Sequence, residues 1–241
     1  MNTGDALCDA SSAFGPRGVV KRVGAVTRQL PVRGDRLLDV GCGDGTYTVE
    51  LAGGYVRVDA IDLEPERLNA FAGRIAGTGL EDRIGIHKMS ADALAFDANT
   101  FDRVTAFEVV EHVDDLEGAL REVRRVLKPG GAFSLTTPNR WFPFETHGVL
   151  WGGRRRSALT APFLPWVGPL HARMSDARAF TTQQMGRLLR GAGLRVRAID
   201  YLMPPFDRRT TALQTLSDTL EDTPLRVFGM AMAVTAVKPG R

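Results

Sequence analysis

The stretch Ala106–Asp115, AFEVVEHVDD, starts as an apolar run and then places Glu108, Glu111 and His112 close together. In a first helical turn after a strand, positions i, i+3 and i+4 would gather these three side chains on one face. With an unperturbed pKa near 6.5, His112 could take a proton from an acceptor while a carboxylate orients its ring. The competing structural reading has Glu111 capping or neutralising a helix start and His112 packed as an ordinary histidine.

A second chemical stretch is DVGCGDG, Asp39–Gly45. A glycine-rich turn between a strand and a helix lets a ligand approach the backbone, and the helix N-terminus adds partial positive charge. The dinucleotide fingerprint GxGxxG would need glycine where Thr46 stands, and a pyrophosphate would have to sit beside Asp39 and Asp44. Two carboxylates suit instead a ligand carrying an ammonium and a sulfonium, as S-adenosylmethionine does. Gly41, Cys42, Gly43, Asp44 and Gly45 then line that cofactor together with Asp39. Asp62, about 20 residues beyond the turn, is placed for ribose hydroxyls, and Ala91 and Asp92 for the adenine end. Structural alternatives stand beside these roles: Asp39 tying down the turn, Asp44 capping a helix, Cys42 as a small buried residue.

These residues need elements to hold them, and the chain alternates strands and helices. The patterning predicts a helix over 17–30, a strand over 36–40, a helix capped by Thr46, and a strand over 56–62. A helix over 64–76, a strand over 83–89, a loop over 90–96, a strand over 101–110 and a helix over 114–127 follow. A turn at 128–131 leads into a strand over 132–138. Residues 138–180 break the rhythm with Pro, Gly, Arg and all three tryptophans, Trp141, Trp151 and Trp166, and read as a lid or binding segment. A helix from Thr181 to Gly191 or Gly193 precedes strands over 194–202 and 228–237. The pattern implies an α/β fold with a parallel sheet covered on both faces, in one domain over 1–241.

With 241 residues, 44% hydrophobic and 24% charged, the sequence has material for one sizeable core. Cys8 and Cys42 give neither a disulfide framework nor a zinc spacing. No apolar run approaches the ~20 residues of a membrane span, and no secretory pattern opens the sequence, so a cytoplasmic location is expected. A net charge of +3 neither requires nor forbids nucleic acid.

Taken together and in order, LLDVGCGDGTYTVEL, AIDLEPERL, SADALAF, FDRVTAFEVVEHV and LREVRRVLKPGGAFSLTTPN resemble the class I S-adenosylmethionine-dependent methyltransferases over residues 34–139. The resemblance implies a Rossmann-like seven-stranded sheet whose last strand, FGMAMAVTAV, runs antiparallel. It also implies a cofactor site lined by the Gly41–Gly45 turn, Asp62, Leu63, Asp92 and Phe107. FEVVEHV and TTPN are closest to the ubiquinone-biosynthesis O-methyltransferases and the small-RNA 3′-end 2′-O-methyltransferases, in which a Glu-x-x-Glu-His segment holds a divalent metal. By that resemblance Glu108, Glu111 and His112 would ligate an ion such as Mg²⁺. His147 and His171 read as surface or capping residues. Of the two, His171 is the better ligand candidate, because Arg173 and Phe180 follow it in a pattern loosely shared with the RNA-modifying subgroup.

The expected activity is methyl transfer from S-adenosylmethionine to oxygen of a small, aromatic or apolar acceptor covered by the insert. An RNA 2′-O-methyltransferase would need a basic face, for which the sequence offers Arg140 and Arg154–Arg156. A nicotinamide oxidoreductase is opposed by Thr46 and the acidic turn, and a cofactor-binding protein without turnover by the intact motifs. A small molecule is therefore the expected partner rather than nucleic acid.

Overall fold

In the computed structural model, which describes residues 15–31, 33–151, 154–156, 161–206 and 211–240, the short apolar runs of the core join one sheet. The chain forms α1 (Pro16–Gln29), β1 (Gly34–Val40), α2 (Thr46–Ala52), β2 (Tyr55–Asp62), α3 (Pro65–Ile75), β3 (Ile84–Lys88), β4 (Phe101–Phe107), α4 (Leu116–Val126) and β5 (Leu127–Pro138). The insert contains a two-stranded ladder, β6 (Val149–Trp151) and β7 (Arg154–Arg156), a 3₁₀ turn at Leu164–Trp166, and α5 (Gly168–Met174). Then come α6 (Thr182–Gly191), β8 (Arg195–Leu202), α7 (Thr211–Glu221), a 3₁₀ segment at Pro224–Phe228, and β9 (Ala231–Val237). Cys8 lies outside the described residues. Among those described, no helix is long and apolar enough to cross a membrane.

The sheet order is β3-β2-β1-β4-β5-β9-β8. Neighbours from β3 to β5 pair in parallel, and β9 runs antiparallel between β5 and β8, as the resemblance implies. Apolar side chains on both faces call for helices on both. Leu116, Leu120 and Val123 of α4 pack with Met185 and Leu189 of α6 on one side. Val26 of α1, Leu51 of α2 and Phe71 of α3 pack on the other. Successive strands β1, β2 and β3 step one way across the sheet and β4 and β5 the other, so the order reverses between β1 and β4. Open α/β sheets bind ligands at such a reversal, beyond the C-terminal strand ends. Here those ends are Val40, which leads into the glycine turn, and Phe107, which leads into the Glu108–His112 segment.

Beside the site, three boundaries differ from the sequence expectation for local reasons; elsewhere β5 takes in the turn expected at 128–131, and the strand expected over 228–237 starts at Ala231. The strand expected over 101–110 stops at Phe107, because Glu108 adopts φ 55° while its N–H bonds the Thr136 carbonyl at 3.0 Å. No helical turn follows directly: His112 closes a turn onto the Val109 carbonyl, and α4 begins at Leu116, where the Asp115 carboxylate accepts the Gly118 N–H at 2.8 Å. Thr46 is not the cap of α2. Gly45, at φ 80°, holds that position, and Asp44 Oδ1 accepts from the Thr46 N–H at 3.1 Å and its hydroxyl at 2.7 Å. The insert leaves and returns at one point, where the Arg140 N–H bonds the Phe180 carbonyl at 2.9 Å and the Phe180 N–H the Pro138 carbonyl at 3.2 Å.

Candidate active site

Gly41, Gly43 and Gly45 all take positive φ (67°, 55° and 80°), but for different reasons. A Cβ on Gly41 would lie 2.4 Å from Val109 Cγ2 and one on Gly45 2.0 Å from Phe71 Cδ2, so packing excludes a side chain at both. At Gly43 a Cβ would meet nothing within 4 Å. Gly43 therefore borders the open side of the turn, where a ligand can come up against backbone. Its N–H is held by Asp62 Oδ2 at 2.9 Å, and Asp62 Oδ1 accepts the Glu64 N–H at 3.0 Å. Each carboxylate oxygen keeps a second lone pair. Leu63, next in sequence, is exposed, and at the end of β3 the exposed Asp92 accepts the Ser90 hydroxyl at 2.5 Å beside half-buried Ala91.

The other acids of the turn have structural partners. Asp39 is buried, its Oδ2 accepting from the Thr48 hydroxyl at 2.6 Å and its Oδ1 from that of Thr105 at 2.8 Å, which ties β1 to α2 and β4. Burial, only partly offset by those bonds, pushes its carboxyl up to about 6. Asp44 binds the start of α2 and pairs with Arg74. Burial opposes its charge, yet the Thr46 bonds and Arg74 hold it below the usual carboxylate range. Cys42 is buried, and burial pushes its thiol well above the reactive range. Phe107 is buried and stacked on Tyr47 of α2, with ring centroids 4.4 Å apart and planes 8° from parallel.

Across the crevice, the three residues of the Glu-x-x-Glu-His segment part company. Glu108 is turned to Arg22 of α1, with Nε 3.2 Å from Oε1 in a buried ion pair. Burial works against both charges, but their attraction wins, holding Glu108 below and Arg22 above their ordinary values. Glu111 is also buried, and Oε2 accepts the Thr137 hydroxyl at 3.1 Å. Its Oε1 has no hydrogen-bond partner and lies 3.8 Å from His147 Nε2. Burial, and then the charge of Glu108, push the Glu111 carboxyl well above its usual range. His112 keeps an exposed edge, and its ring stands 5.0 Å from that of His147 at 77°. Partial desolvation followed by His147 holds it below its ordinary value.

Among the described residues, the donors close enough to share one ion are those of Glu111, His112 and His147, all within 4.8 Å of one another. The set of Glu108, Glu111 and His112 is thus not assembled, and His147 from the insert stands where Glu108 was expected. His171 faces Glu145 instead, at 2.5 Å. Sequence reasoning also passed over Arg22, Thr137 and Arg178. Arg178 lies at the return of the insert and donates to the carbonyls of Val110 (3.0 Å), Glu111 (3.4 Å) and Val113, which fixes the loop carrying the site. None of the candidate site residues lines the cavity of about 470 Å³ between α4 and α6, whose walls include Glu117, Arg121, Gln184 and Arg187.

A reversed strand order with a glycine turn, and an acid bound to it at the end of the next strand, defines a Rossmann-like fold. Residues 38–135 match the family model described as methyltransferase domain. The ubiquinone biosynthesis O-methyltransferase of Xanthomonas oryzae pv. oryzae is 38% identical over 120 residues, covering 49% of this chain and 49% of the relative. That of Methylocella silvestris is 38% identical over 110 residues, covering 46% and 42%. The chain spans about half the length of the curated relatives it matches. An S-adenosylmethionine-dependent methyltransferase from Mesorhizobium loti superimposes with a TM-score of 0.63 at 22% identity, over 90% of this chain and 97% of the other. A geranyl diphosphate methyltransferase in complex with S-adenosylmethionine gives 0.65 at 18% identity, over 92% and 85%. The chain has the fold of the S-adenosylmethionine-dependent methyltransferases, and its residues 38–135 are similar to a methyltransferase domain.

Proposed function

We propose that this chain transfers the methyl group of S-adenosylmethionine to an oxygen of a small, aromatic or apolar acceptor held beneath the insert. The observation that carries the reading is the open side of Gly43 at the strand-order reversal, with Asp62 bound to its N–H and Leu63 exposed next to it. Asp62 would accept hydrogen bonds from the ribose, Leu63 would shelve the adenine, and Asp92 would receive its amino group. When bound, S-adenosylmethionine supplies a methyl group activated by the sulfonium. The chain's own tasks are to hold an acceptor oxygen in line, exclude water and take the acceptor's proton. His112 suits the last task, since a lowered pKa keeps it neutral at neutral pH with an edge still exposed. Oxygen as the acceptor atom is supported by the names of the curated relatives, and an apolar acceptor by the exposed Trp141, Phe163 and Trp166 of the insert.

The orphaned Oε1 of Glu111 favours a second reading of the same site. A divalent cation held by Glu111, His112 and His147 would keep Glu111 ionised despite its burial and would lower the pKa of an acceptor hydroxyl. Radiolabelled methyl transfer from S-adenosylmethionine to fractionated cell extract tests both. A labelled small molecule is expected, and label found in RNA, or nowhere, would overturn the acceptor reading. If the ion is required, EDTA abolishes transfer without displacing the cofactor. Transfer that survives EDTA but is lost in His112→Ala leaves His112 as the base.

A further inference from the structure

The buried pair Glu145 and His171 plays no part in the reading above. The two residues are 4% and 6% exposed, and Glu145 Oε2 meets His171 Nε2 at 2.5 Å. The other oxygen, Oε1, accepts the backbone N–H of Thr146 at 2.9 Å and of His147 at 3.0 Å. A carboxylate taken out of water is costly unless it is paired and hydrogen-bonded. With three partners converging on Glu145, the backbone of 145–147 has little freedom to leave. The Thr146 hydroxyl lies 3.0 Å from His147 Nδ1, which orients the ring, and Nε2 then faces Glu111 Oε1 at 3.8 Å. A continuous line of contacts therefore runs from α5 through Glu145 and His147 to Glu111 and His112.

We propose that Glu145 and His171 are positioning residues that hold His147 against Glu111 and His112, so that the insert contributes a working imidazole to the transfer site as well as a cover. What His147 works on rests on the transferase reading; the geometry can be tested without it.

The test uses the full chain carrying ring-labelled histidine, with the His147 signals assigned by their absence in His147→Gln. In nuclear magnetic resonance spectra, a through-space contact between the His112 and His147 rings is expected in the parent. It should vanish in Glu145→Ala and weaken in His171→Leu, with S-adenosylmethionine affinity unchanged within about twofold, a smaller change than losing one hydrogen bond gives. A contact that persists in Glu145→Ala overturns the proposal. Should Glu145→Ala fail to fold, His171→Leu carries the same comparison. Turnover supplies a second arm. Glu145→Ala and His147→Gln should each lower kcat roughly 10- to 100-fold, the size typical of losing the partner that orients a working histidine. The double variant should then be no slower than His147→Gln, and Glu145→Gln, which keeps an oxygen for the two N–H groups, should recover most of the rate. Multiplying losses would assign Glu145 an independent structural role and overturn the proposal. A parent that transfers no methyl group would refute the transferase reading and leave the magnetic-resonance result to decide the positioning.

Discussion

At the scale of single residues, Asp39 separates what a motif shows from what a side chain does. Its place in DVGCGDG marks a glycine turn, but residue type alone does not say whether the carboxylate meets a ligand or the hydroxyls of Thr48 and Thr105. Its partners come from α2 and β4, and β4 joins β1 only through the sheet. The same holds for Glu108, whose charge is answered by Arg22, on a helix that precedes the first motif. Asp39 gives a prediction with a definite sign. Its pKa is about 6 when folded and 3.8 in the unfolded reference. Between those values the native state binds a proton that the unfolded state has released, so this contribution to stability is complete below the unfolded value and lost as the pH rises through about 6. Against Asp39→Asn, the parent should lose up to about 3 kcal/mol of unfolding free energy across this window. Urea unfolding of both proteins from pH 4 to pH 7 measures it; a stability difference that does not change with pH contradicts the buried-acid assignment.

Among the elements, those with an apolar period were readable and those held by polar contacts were not. The strands and α4 carry regular apolar residues because they pack against the sheet, and their limits are close to those expected from sequence. Helix α7 buries no such stripe: Leu213 and Leu216 are exposed, Ser217 is its buried residue, and it is tied to α1 through Lys21 with Asp218 (2.9 Å) and Glu221 (2.8 Å) and Arg17 with Asp218 (2.9 Å). The insert was legible as an interruption, while the pairing of its histidines was not, since nothing in their spacing distinguishes His147 from His171. Because the insert starts and ends at the Arg140–Phe180 contact, replacing residues 145–170 with a short glycine linker should leave cofactor binding measurable while abolishing turnover. The same labelled-transfer assay reads it, and full activity after the replacement would show that neither cover nor His147 is needed. His147→Gln in the intact insert separates those two contributions.

In the whole molecule, the reversal of strand order explains why two motifs far apart in sequence meet at one edge of the sheet. The β1 and β4 ends are neighbours in the sheet, so the glycine turn and the loop carrying Glu111 and His112 lie side by side, with Gly41 against Val109. Both motifs lie within residues 38–135, which match the family model, whereas Glu145, His147 and His171 lie beyond them. The residues proposed to hold the cofactor therefore lie in the matched segment, with Asp62 bound to the Gly43 N–H at their centre. Titration calorimetry of S-adenosylmethionine against the parent and Asp62→Ala tests that group most directly. Binding to the parent is expected, with a loss of about 1 to 3 kcal/mol in the variant, the cost of the ribose hydrogen bonds removed. Equal affinity in the two proteins, or no binding to the parent, would contradict the placement of the cofactor at Gly43 and Asp62.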